Sequence, residues 1–254
     1  MPDILSYGEP LLEFNQRPNT SSGGTNPPLY LKGHGGDTSN AAIAAARQGA
    51  TVGYITGIGA DTFGEDFLDL WRSEKVDTAT VKIDQAAHTG IYFVTHGPKG
   101  HAFSYFRAGS AASRMVPADM PDDAIRTAKI LHMSGISQAI SGSAADAGFH
   151  AIEVARAAGV RVSYDTNLRL RLWDIARARA VIHAAIAMAD IALPSYDDSV
   201  ALTGLSDADA IADFYLRLGA PLVALKLGKD GVLLADQSAR ERIAGHVVDA
   251  VDAT

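Results

Sequence analysis

The stretch Gly33–Gly64, GHGGDTSNAAIAAARQGATVGYITGIGADTFG, is the most informative part of this sequence. Its Ala-rich segment predicts a helix from about Thr38 to Gln48, with N-cap side chains supplied within Asp37–Ser39 and a stop at Gly49. Glycines in front of a helix N-terminus allow main-chain N–H groups to come close to an anion or a hydroxyl group. We therefore expect a ligand-binding corner at the start of this helix.

The second half of the stretch predicts a strand followed by another glycine turn. Thr51–Thr56 is the strand, and Gly57–Asp61 turns the chain into a second helix. Thr62 and Glu65 have the spacing of a capping box at the start of that helix.

Two common nucleotide-binding motifs are excluded by the spacing of these glycines. A dinucleotide fingerprint requires G-x-G-x-x-G, and the register set by Gly33 and Gly35 places Thr38 at the third glycine. No window of the chain supplies G-x-x-x-x-G-K-[ST], the phosphate-binding loop of another nucleotide-binding class. A nicotinamide oxidoreductase is therefore a distant alternative.

Composition indicates an ordinary globular protein. Of the 254 residues, 47% are hydrophobic and 20% charged, and the formal net charge of -7 argues against a nucleic-acid surface. The chain has no cysteine, which excludes disulfides and thiolate metal sites. The N-terminus lacks the pattern of a signal peptide and no apolar run approaches the length of a membrane span, so a cytoplasmic location is expected. The histidines show no metal-ligand spacing, and no metal ligand is predicted.

From Ala128 onward, strands and helices alternate, as in a parallel sheet covered by helices on both faces. The predicted strands are Ile130–Met133, Val160–Tyr164, Asp190–Leu193 and Leu222–Leu225; the predicted helices are Ser143–Ala158 with Ser143 as N-cap, Ile175–Ala189, and one capped by Ser195 and Asp198. Before them, Ile4–Tyr7 and Val76–Ile83 also read as strands. We expect one α/β domain over residues 1–254.

A small additional sheet is predicted from a different pattern. Ile91–Thr95 and Ala102–Arg107 flank a glycine turn and form a β-hairpin. With Leu11–Phe14 and Leu29–Lys32, the hairpin suggests a lid over the ligand, covering about residues 11–33 and 89–109, with a polar loop at Thr20–Pro28. Alternation places Tyr105 and Arg107 on one face and Phe106 on the other. Ordinary packing of aromatic side chains is the alternative role for Tyr92 and Tyr105.

Polar residues follow the predicted strands at their carboxyl ends, where open α/β sheets bind ligands. They are Ser134, Asp165, Asn167, Arg169, Ser195, Lys226 and Gly228. A guanidinium presents a planar fork that matches a carboxylate or phosphate. Arg107 and Arg169 therefore point to an acidic substrate or a phosphate, unless they are separate surface arginines.

Several of these segments resemble the PfkB (ribokinase-like) carbohydrate kinases. The first signature of that family is matched by Gly35, Gly36 and Asn40, then by Gly57, Gly59, Asp61 and Gly64. TGIYF, SYFRAGSA, LHMSGI, YDTNLRLRLW and LPSYDDS are most similar to the 2-keto-3-deoxygluconate kinases of the family, and the match covers nearly the whole chain. The resemblance implies a ribokinase-like α/β fold with a small β-sheet lid.

The resemblance also implies a set of site residues. The sugar-acid site would contain Gly35, Gly36, Asn40, Tyr92, Tyr105, Arg107, Ile136 and Arg169; the ATP side would contain Asn167, Ser195, Asp198, Lys226, Gly228 and Gly231. Glu13 stands where such kinases often carry an acidic residue against a sugar hydroxyl, and a solvated strand carboxylate is the alternative. Ser195-x-x-Asp198 replaces the family's more common Asn-x-x-Glu.

The implied activity is ATP-dependent phosphorylation of 2-keto-3-deoxygluconate, with Mg²⁺ bridging the phosphates. The alternatives are a fructokinase or another sugar kinase, and a non-catalytic protein that binds sugar acids. The expected partners are the small sugar acid and ATP, without nucleic acid or membrane, and a homo-oligomer formed through the lid is possible within the family.

The last residues, Val248–Thr254, resemble the opening of the second family signature, which continues as Gly-Ala-Gly-Asp. By the resemblance, that Asp is the base for the sugar hydroxyl and the preceding N–H groups form the anion hole. The base would follow Thr254, which leaves Arg169 in a supporting role.

We expect this chain to show little or no ATP-dependent sugar phosphorylation, because phosphoryl transfer depends on positioning and electrostatic stabilisation by these groups. A coupled assay of ADP release with the sugar acid would measure it. Turnover at a rate typical of kinases would contradict the expectation.

Overall fold

The computed structural model describes residues 2–17, 28–97 and 100–246. The chain divides into two compact units, Met1–Val160 and Arg161–Thr254. Most of the predicted polar loop at Thr20–Pro28, the centre of the predicted hairpin turn and the Val248–Thr254 segment lie outside the described residues.

The first unit is built on a parallel sheet in which β1 pairs with both β4 and β9, while β4 also pairs with β5 and β6. Its strands are β1 (Ile4–Tyr7), β2 (Leu11–Gln16), β3 (Tyr30–Gly35), β4 (Val52–Gly59), β5 (Val76–Asp77), β6 (Val81–Asp84), β7 (Ile91–Gly97), β8 (Gly100–Phe106) and β9 (Ile130–Ser134). Its helices are α1 (Asp37–Arg47), α2 (Thr62–Ser73), α3 (Asp122–Thr127), α4 (Gly135–Ala139) and α5 (Gly142–Ala157).

Several predicted boundaries in this unit are wrong. The strand expected at Thr51–Thr56 continues as β4 to Gly59, through the first part of the predicted glycine turn, and two other boundaries are set by polar side chains. The strand expected over Val76–Ile83 is broken into β5 and β6 by a turn, in which Ala79 donates its N–H to Asp77 Oδ1 at 2.9 Å. The helix expected to start at Ser143 is capped two residues earlier, because Ser141 Oγ accepts the N–H of Ala144 at 3.0 Å. In both cases a polar side chain close to the boundary decides where the element ends.

The core of the first unit explains why α1 is not capped as predicted. The helix begins at Asp37, with Gly36 as N-cap and no side-chain cap. Thr38 and Ser39 are buried instead, where Thr38 Oγ1 lies 3.0 Å from the hydroxyl of Tyr54 and Ser39 Oγ accepts from Trp71 Nε1 at 2.9 Å. Their hydroxyl groups satisfy buried aromatic polar groups, which removes them from the helix terminus.

The second sheet of this unit has the strand order β3-β2-β7-β8, and we refer to it as the small sheet. It confirms the predicted separate sheet. Phe106 lies 5.8 Å from Phe93 on one face, measured between ring centroids. Tyr105 stacks on Tyr92 at 5.5 Å on the other face, in agreement with the predicted alternation.

The second unit contains parallel strands β10 (Arg161–Asp165), β11 (Ile191–Leu193) and β12 (Leu222–Lys226), followed by antiparallel β13 (Val232–Ala235) and β14 (Arg240–Ile243). Its helices are α6 (Ile175–Ala187), α7 (Tyr196–Thr203) and α8 (Ala208–Leu218). The parallel strands and α6 and α7 agree with the prediction, whereas α8, β13 and β14 were not predicted.

Within the described ranges, no helix has both the length and the apolar character needed to span a bilayer.

Asp61 connects α2 to the small sheet. It is the N-cap of α2, since its Oδ1 accepts the N–H of Gly64 at 2.8 Å. The same carboxylate accepts the hydroxyl and the N–H of Thr89, both at 2.8 Å, just before β7 begins. The predicted capping box is therefore wrong, because Thr62 is the first residue of α2 rather than its cap.

These hydrogen bonds change the acidity of Asp61. Burial raises its pKa, but the N–H groups of Thr89 and Gly64 and the Thr89 hydroxyl together hold it below its ordinary value. A carboxyl group with a lower pKa in the folded state stabilises the protein above its unfolded-state pKa. That contribution is lost as the pH falls through the folded-state pKa.

Asp61→Ala is expected to lower the free energy of unfolding by about 2 to 4 kcal/mol at neutral pH, since it removes a helix cap and leaves the Thr89 donors without an acceptor. Urea titration would measure the change. Thr62→Ala is the matched control and should cost less than about 0.5 kcal/mol. A larger loss of stability in Thr62→Ala than in Asp61→Ala would contradict Asp61 as the cap and would support the predicted capping box.

Candidate functional site

The glycine corner predicted at the start of α1 packs against the loop that follows β1. Gly36 has a φ of 107°, and a Cβ atom there would lie 2.6 Å from the carbonyl oxygen of Glu9. A Cβ at Gly8 would lie 2.1 Å from Thr38 Oγ1 and 2.9 Å from Ser137 Oγ. The starts of α1 and α4 thus converge on residues 8 and 9, and only glycine fits at positions 8 and 36.

The residue after Gly8, Glu9, forms a buried ion pair with Arg107. The side chain of Glu9 is fully buried, and its Oε2 pairs with Nη2 of Arg107. Its Oε1 accepts the hydroxyl of Ser110 at 2.9 Å. Arg107, which is 13% exposed at its side chain, stands at the end of β8 with its guanidinium 5.6 Å from the centre of the Tyr105 ring. Such a cation near a ring face is favourable.

The neighbouring strands extend this arrangement with groups that recognise hydroxyls. Glu13 on β2, Tyr92 on β7 and Tyr105 on β8 are cross-strand partners in register. The hydroxyl of Tyr92 donates to Glu13 Oε2. Gly35 on β3 leaves room for this pair, because a Cβ there would lie 2.9 Å from the Tyr92 hydroxyl.

We refer to Glu9, Glu13, Tyr92, Tyr105 and Arg107 as the Arg107 cluster. The structure therefore brings together Tyr92, Tyr105 and Arg107 from the predicted sugar site, with Gly35 and Gly36 beside them. Tyr105 remains 42% exposed, so this face of the small sheet is accessible to a ligand.

Asn40 and Ile136 have other surroundings. Asn40 is exposed and borders a groove of about 510 Å³ along α1 and α2, together with His34 and Ile43. Ile136 is half-buried in α4, next to Ser137, whose hydroxyl donates to the carbonyl of Tyr7 at 2.8 Å. Ile136 therefore lies near the glycine corner, whereas Asn40 faces open solvent.

Burial dominates the electrostatics of Glu9. It raises the pKa of Glu9, and the charge of Asp37 adds to the effect, while Arg107 and the Ser110 hydroxyl oppose it. The net direction is upward. A carboxyl group with a raised pKa at a candidate binding site is a common functional feature.

In the second unit, Asp198 organises the ends of β10 and β11. Ser195 is the N-cap of α7 as predicted, with its Oγ accepting the N–H of Asp198 at 3.4 Å. Asp198 does not cap the helix: its Oδ2 accepts the N–H of Leu168 at 3.0 Å and the hydroxyl of Thr166 at 3.3 Å. Its carboxylate thus fixes the turn that follows β10.

The same turn carries the predicted residues Asn167 and Arg169, and Lys226 contacts the end of β10 beside it. Asn167 has a φ of 28°, and its N–H donates to Asp165 Oδ1 at 3.1 Å. Lys226, at the end of β12, forms an ion pair with Asp165. Arg169 is exposed, and its Nη1 donates to the carbonyl of Leu168 at 2.9 Å. Asn tolerates this left-handed backbone better than most residues.

The two predicted glycines of this unit differ. Gly228 has a φ of 60°, and a Cβ there would meet nothing within 4 Å, so its backbone is open to a ligand. Gly231 is closely packed, since a Cβ would lie 1.9 Å from the carbonyl oxygen of Ile243. Gly231 therefore allows the main chain before β13 to pack closely against the end of β14.

Among residues 2–17, 28–97 and 100–246, no group of three or more His, Cys, Asp or Glu side chains is arranged to hold a metal ion. Mg²⁺ bound with phosphates usually takes only one or two carboxylates from the protein. In the second unit, the carboxylate of Asp165 contacts Asn167 and Lys226, and that of Asp198 contacts Thr166 and Leu168.

Glu9 and Ser110 are the residues that sequence reasoning missed. A signal for Glu9 was available, because Gly8-Glu9-Pro10 follows the first predicted strand and the strand-end rule applies to it as to the others. Ser110 had no comparable signal.

Comparison with known proteins gives a consistent result. The sequence model described as "pfkB family carbohydrate kinase" matches residues 1–254. A 2-dehydro-3-deoxygluconokinase of Bacillus subtilis (strain 168) is 32% identical over 98% of this chain and 77% of that protein. Fructokinase-2 of Solanum lycopersicum is 33% identical over 99% of this chain and 77% of its own length.

A solved structure shows the same fold. The PfkB protein from Polaromonas sp. JS666 superposes with a TM-score of 0.89 and 32% identity, over 98% of this chain and 84% of that one. The match confirms the predicted ribokinase-like α/β fold.

Gly36→Ala is expected to lower the free energy of unfolding by about 3 kcal/mol or more, because the backbone conformation disfavours a side chain and the Glu9 carbonyl blocks it. Gly49→Ala is the matched control, since Gly49 has a φ of 93° but open space around it. It should cost about 1 to 2 kcal/mol. Equal losses in thermal or urea unfolding would contradict the close packing at Glu9.

Proposed function

This chain belongs to the pfkB family of carbohydrate kinases, and we propose that its substrate is 2-keto-3-deoxygluconate (2-dehydro-3-deoxygluconate), phosphorylated at its terminal hydroxyl by ATP. Similarity alone supports two sugar classes, because relatives named for the keto acid and for fructose are about equally identical to this chain. The choice between them therefore depends on the chemistry of the pocket.

The observation that carries the proposal is a fixed guanidinium among hydroxyl-binding groups. Arg107 is the one positively charged residue of the Arg107 cluster. Its guanidinium can bind a carboxylate through two hydrogen bonds, which is a characteristic use of arginine. Tyr92, Tyr105 and Glu13 supply donors and acceptors for the hydroxyl and keto groups. A neutral sugar would need no cation at this position.

In the first unit, the proposed substrate-binding residues are Gly35, Gly36, Asn40, Tyr92, Tyr105, Arg107 and Ile136. In the second unit, the proposed substrate-binding residue is Arg169. The small sheet would act as a lid that excludes water around the reacting hydroxyl. Its exposed apolar side chains, among them Phe106 at 56% and Leu31 at 54%, are compatible with a homo-oligomer formed through the lid.

The nucleotide would be bound by the strand-end residues of the second unit, which are Asn167, Ser195, Asp198, Lys226, Gly228 and Gly231. The ammonium of Lys226 and the open backbone at Gly228 suit phosphate groups. Asp165 and Asp198 would hold Mg²⁺, which when bound neutralises charge on the phosphates during transfer. The exposed guanidinium of Arg169 would stabilise negative charge on the transferring group.

Fructose is the second candidate, and one observation favours it. The charge of Arg107 is already opposed by the buried carboxylate of Glu9. If Glu9 is ionised, the pair is electrically neutral and attracts a carboxylate less strongly.

Calorimetric titration of the folded chain with 2-keto-3-deoxygluconate and with fructose tests the proposal. We expect the keto acid to bind about tenfold more tightly or better, since a charge-assisted contact contributes about 1.5 to 3 kcal/mol. Arg107→Ala should remove most of this preference, while Arg72→Ala, which changes an arginine 61% exposed at its side chain, should not. Circular dichroism would verify that each variant is folded.

Equal or tighter binding of fructose by the unmodified chain would contradict the keto-acid assignment. It would leave the sugar-kinase class intact, since that class rests on family membership.

A further inference from the structure

We propose that Glu9 is a positioning residue for Arg107 and sets the preference of the pocket between acidic and neutral sugars. The inference rests on the proposed function, because it concerns the same pocket and the same arginine. Nothing in the sequence pattern of the cluster had assigned a role to this carboxylate.

The contacts of Glu9 allow it one position. Its side chain has no exposed surface, and each of its oxygens is engaged, one by Arg107 and the other by the Ser110 hydroxyl at 2.9 Å. A Cβ at Gly90 would lie 3.0 Å from Oε1, so the strand that enters the small sheet also confines it. A carboxylate held in this way defines where the guanidinium must be.

Arg107 is oriented as a result. Its Nη2 is held by Glu9, and its Nε is buried with no hydrogen-bond partner among the described residues. One N–H group of the guanidinium is therefore engaged by Glu9. The contact with Glu9 determines which of the other N–H groups can face the substrate. Without Glu9, the side chain would regain rotamer freedom that binding must then remove.

The charges give the second part of the inference. With Glu9 ionised, a bound sugar acid makes a carboxylate, guanidinium and carboxylate group with a net negative charge in a poorly hydrated place. With Glu9 protonated, the positive charge of Arg107 is neutralised by the substrate alone. Like charges at short distance in such a site oppose each other.

The surroundings of Glu9 make its proton state sensitive to pH. The charged or titratable groups that act on it or respond to it are Arg107, Asp37, Tyr7 and Tyr54. Burial raises the pKa of Glu9, and burial also raises the pKa values of Tyr7 and Tyr54, which keeps both phenols neutral. Keto-acid affinity should therefore rise as the pH falls through the pKa of Glu9, whereas fructose affinity should not follow that trend.

The test compares Glu9→Gln and Glu9→Ala with the unmodified chain, by calorimetry with both sugars over a series of pH values at which each protein stays folded. An amide in place of the carboxylate can still accept from Arg107 and meet Ser110, but it carries no charge. Above the pKa of Glu9, we expect Glu9→Gln to bind the keto acid about tenfold more tightly than the unmodified chain, and we expect it to lose the pH dependence, with fructose affinity changed less than about threefold. Glu65→Gln, an exposed exchange on α2, is the matched control.

Glu9→Ala separates position from charge. It removes the same charge as Glu9→Gln but leaves Arg107 unsupported, so we expect keto-acid binding about tenfold weaker than in Glu9→Gln. If Glu9→Ala does not fold, Ser110→Ala tests the charge part of the inference on its own. Because the Ser110 hydroxyl lowers the pKa of Glu9, its removal should shift the pH profile of keto-acid binding to higher pH.

Two outcomes would overturn the inference: Glu9→Gln matching the unmodified chain at every pH value of the series, or Glu9→Ala matching Glu9→Gln. Failure of the proposed function is distinguishable, because it would appear as fructose preference of the unmodified chain before any variant is measured.

Discussion

The ion pair between Glu9 and Arg107 connects the loop after β1 to the end of β8, and hence the parallel sheet of the first unit to its small sheet. A buried pair of this kind has a high desolvation cost, so it contributes little net stability compared with apolar packing. Removing one partner is nevertheless expensive, by about 3 to 5 kcal/mol, because the other charge remains buried. The pair therefore constrains geometry more than it stabilises the fold.

The packing around the pair follows from that constraint. Gly90 lies against the carboxylate of Glu9 and Gly36 against its main-chain carbonyl, with too little space for a side chain at either position, and Gly8 packs as closely against Thr38 and Ser137. The ring of Tyr105 lies next to the cation, and Tyr92 stacks on Tyr105 from the adjoining strand. Specificity in this pocket is a property of close backbone packing behind it as much as of the groups that line it.

The sequence predicted the fold class and most strands, because apolar runs followed by polar or glycine-rich turns are strong signals. It failed where one side chain had two possible partners. Thr38 and Ser39 looked like helix caps, but the buried groups of Tyr54 and Trp71 required their hydroxyls. Likewise, Asp198 was expected to cap α7 and instead holds the turn after β10. Tertiary contacts decide which partner each of these side chains binds, and the local sequence pattern carries no information about those contacts.

The candidate site, like the fold, could be predicted in part from the sequence. Tyr92, Tyr105 and Arg107 lie together because alternation along paired strands is regular, and register followed from the hairpin. The partner of Arg107 was not predictable, since Glu9 is about a hundred residues away in sequence and meets it only when the small sheet folds back. Charge pairing over such distances requires the tertiary structure.

The position of Asp61 has a consequence for motion in the first unit. Because one carboxylate caps α2 and also holds Thr89 at the entrance to β7, fraying of the helix terminus and release of that strand are a single event. Amide hydrogens in β7 should then exchange with solvent at the rate set by the first turn of α2. The small sheet in this way takes its local stability from a core helix, and its opening is cooperative although β3 and β8 are largely exposed.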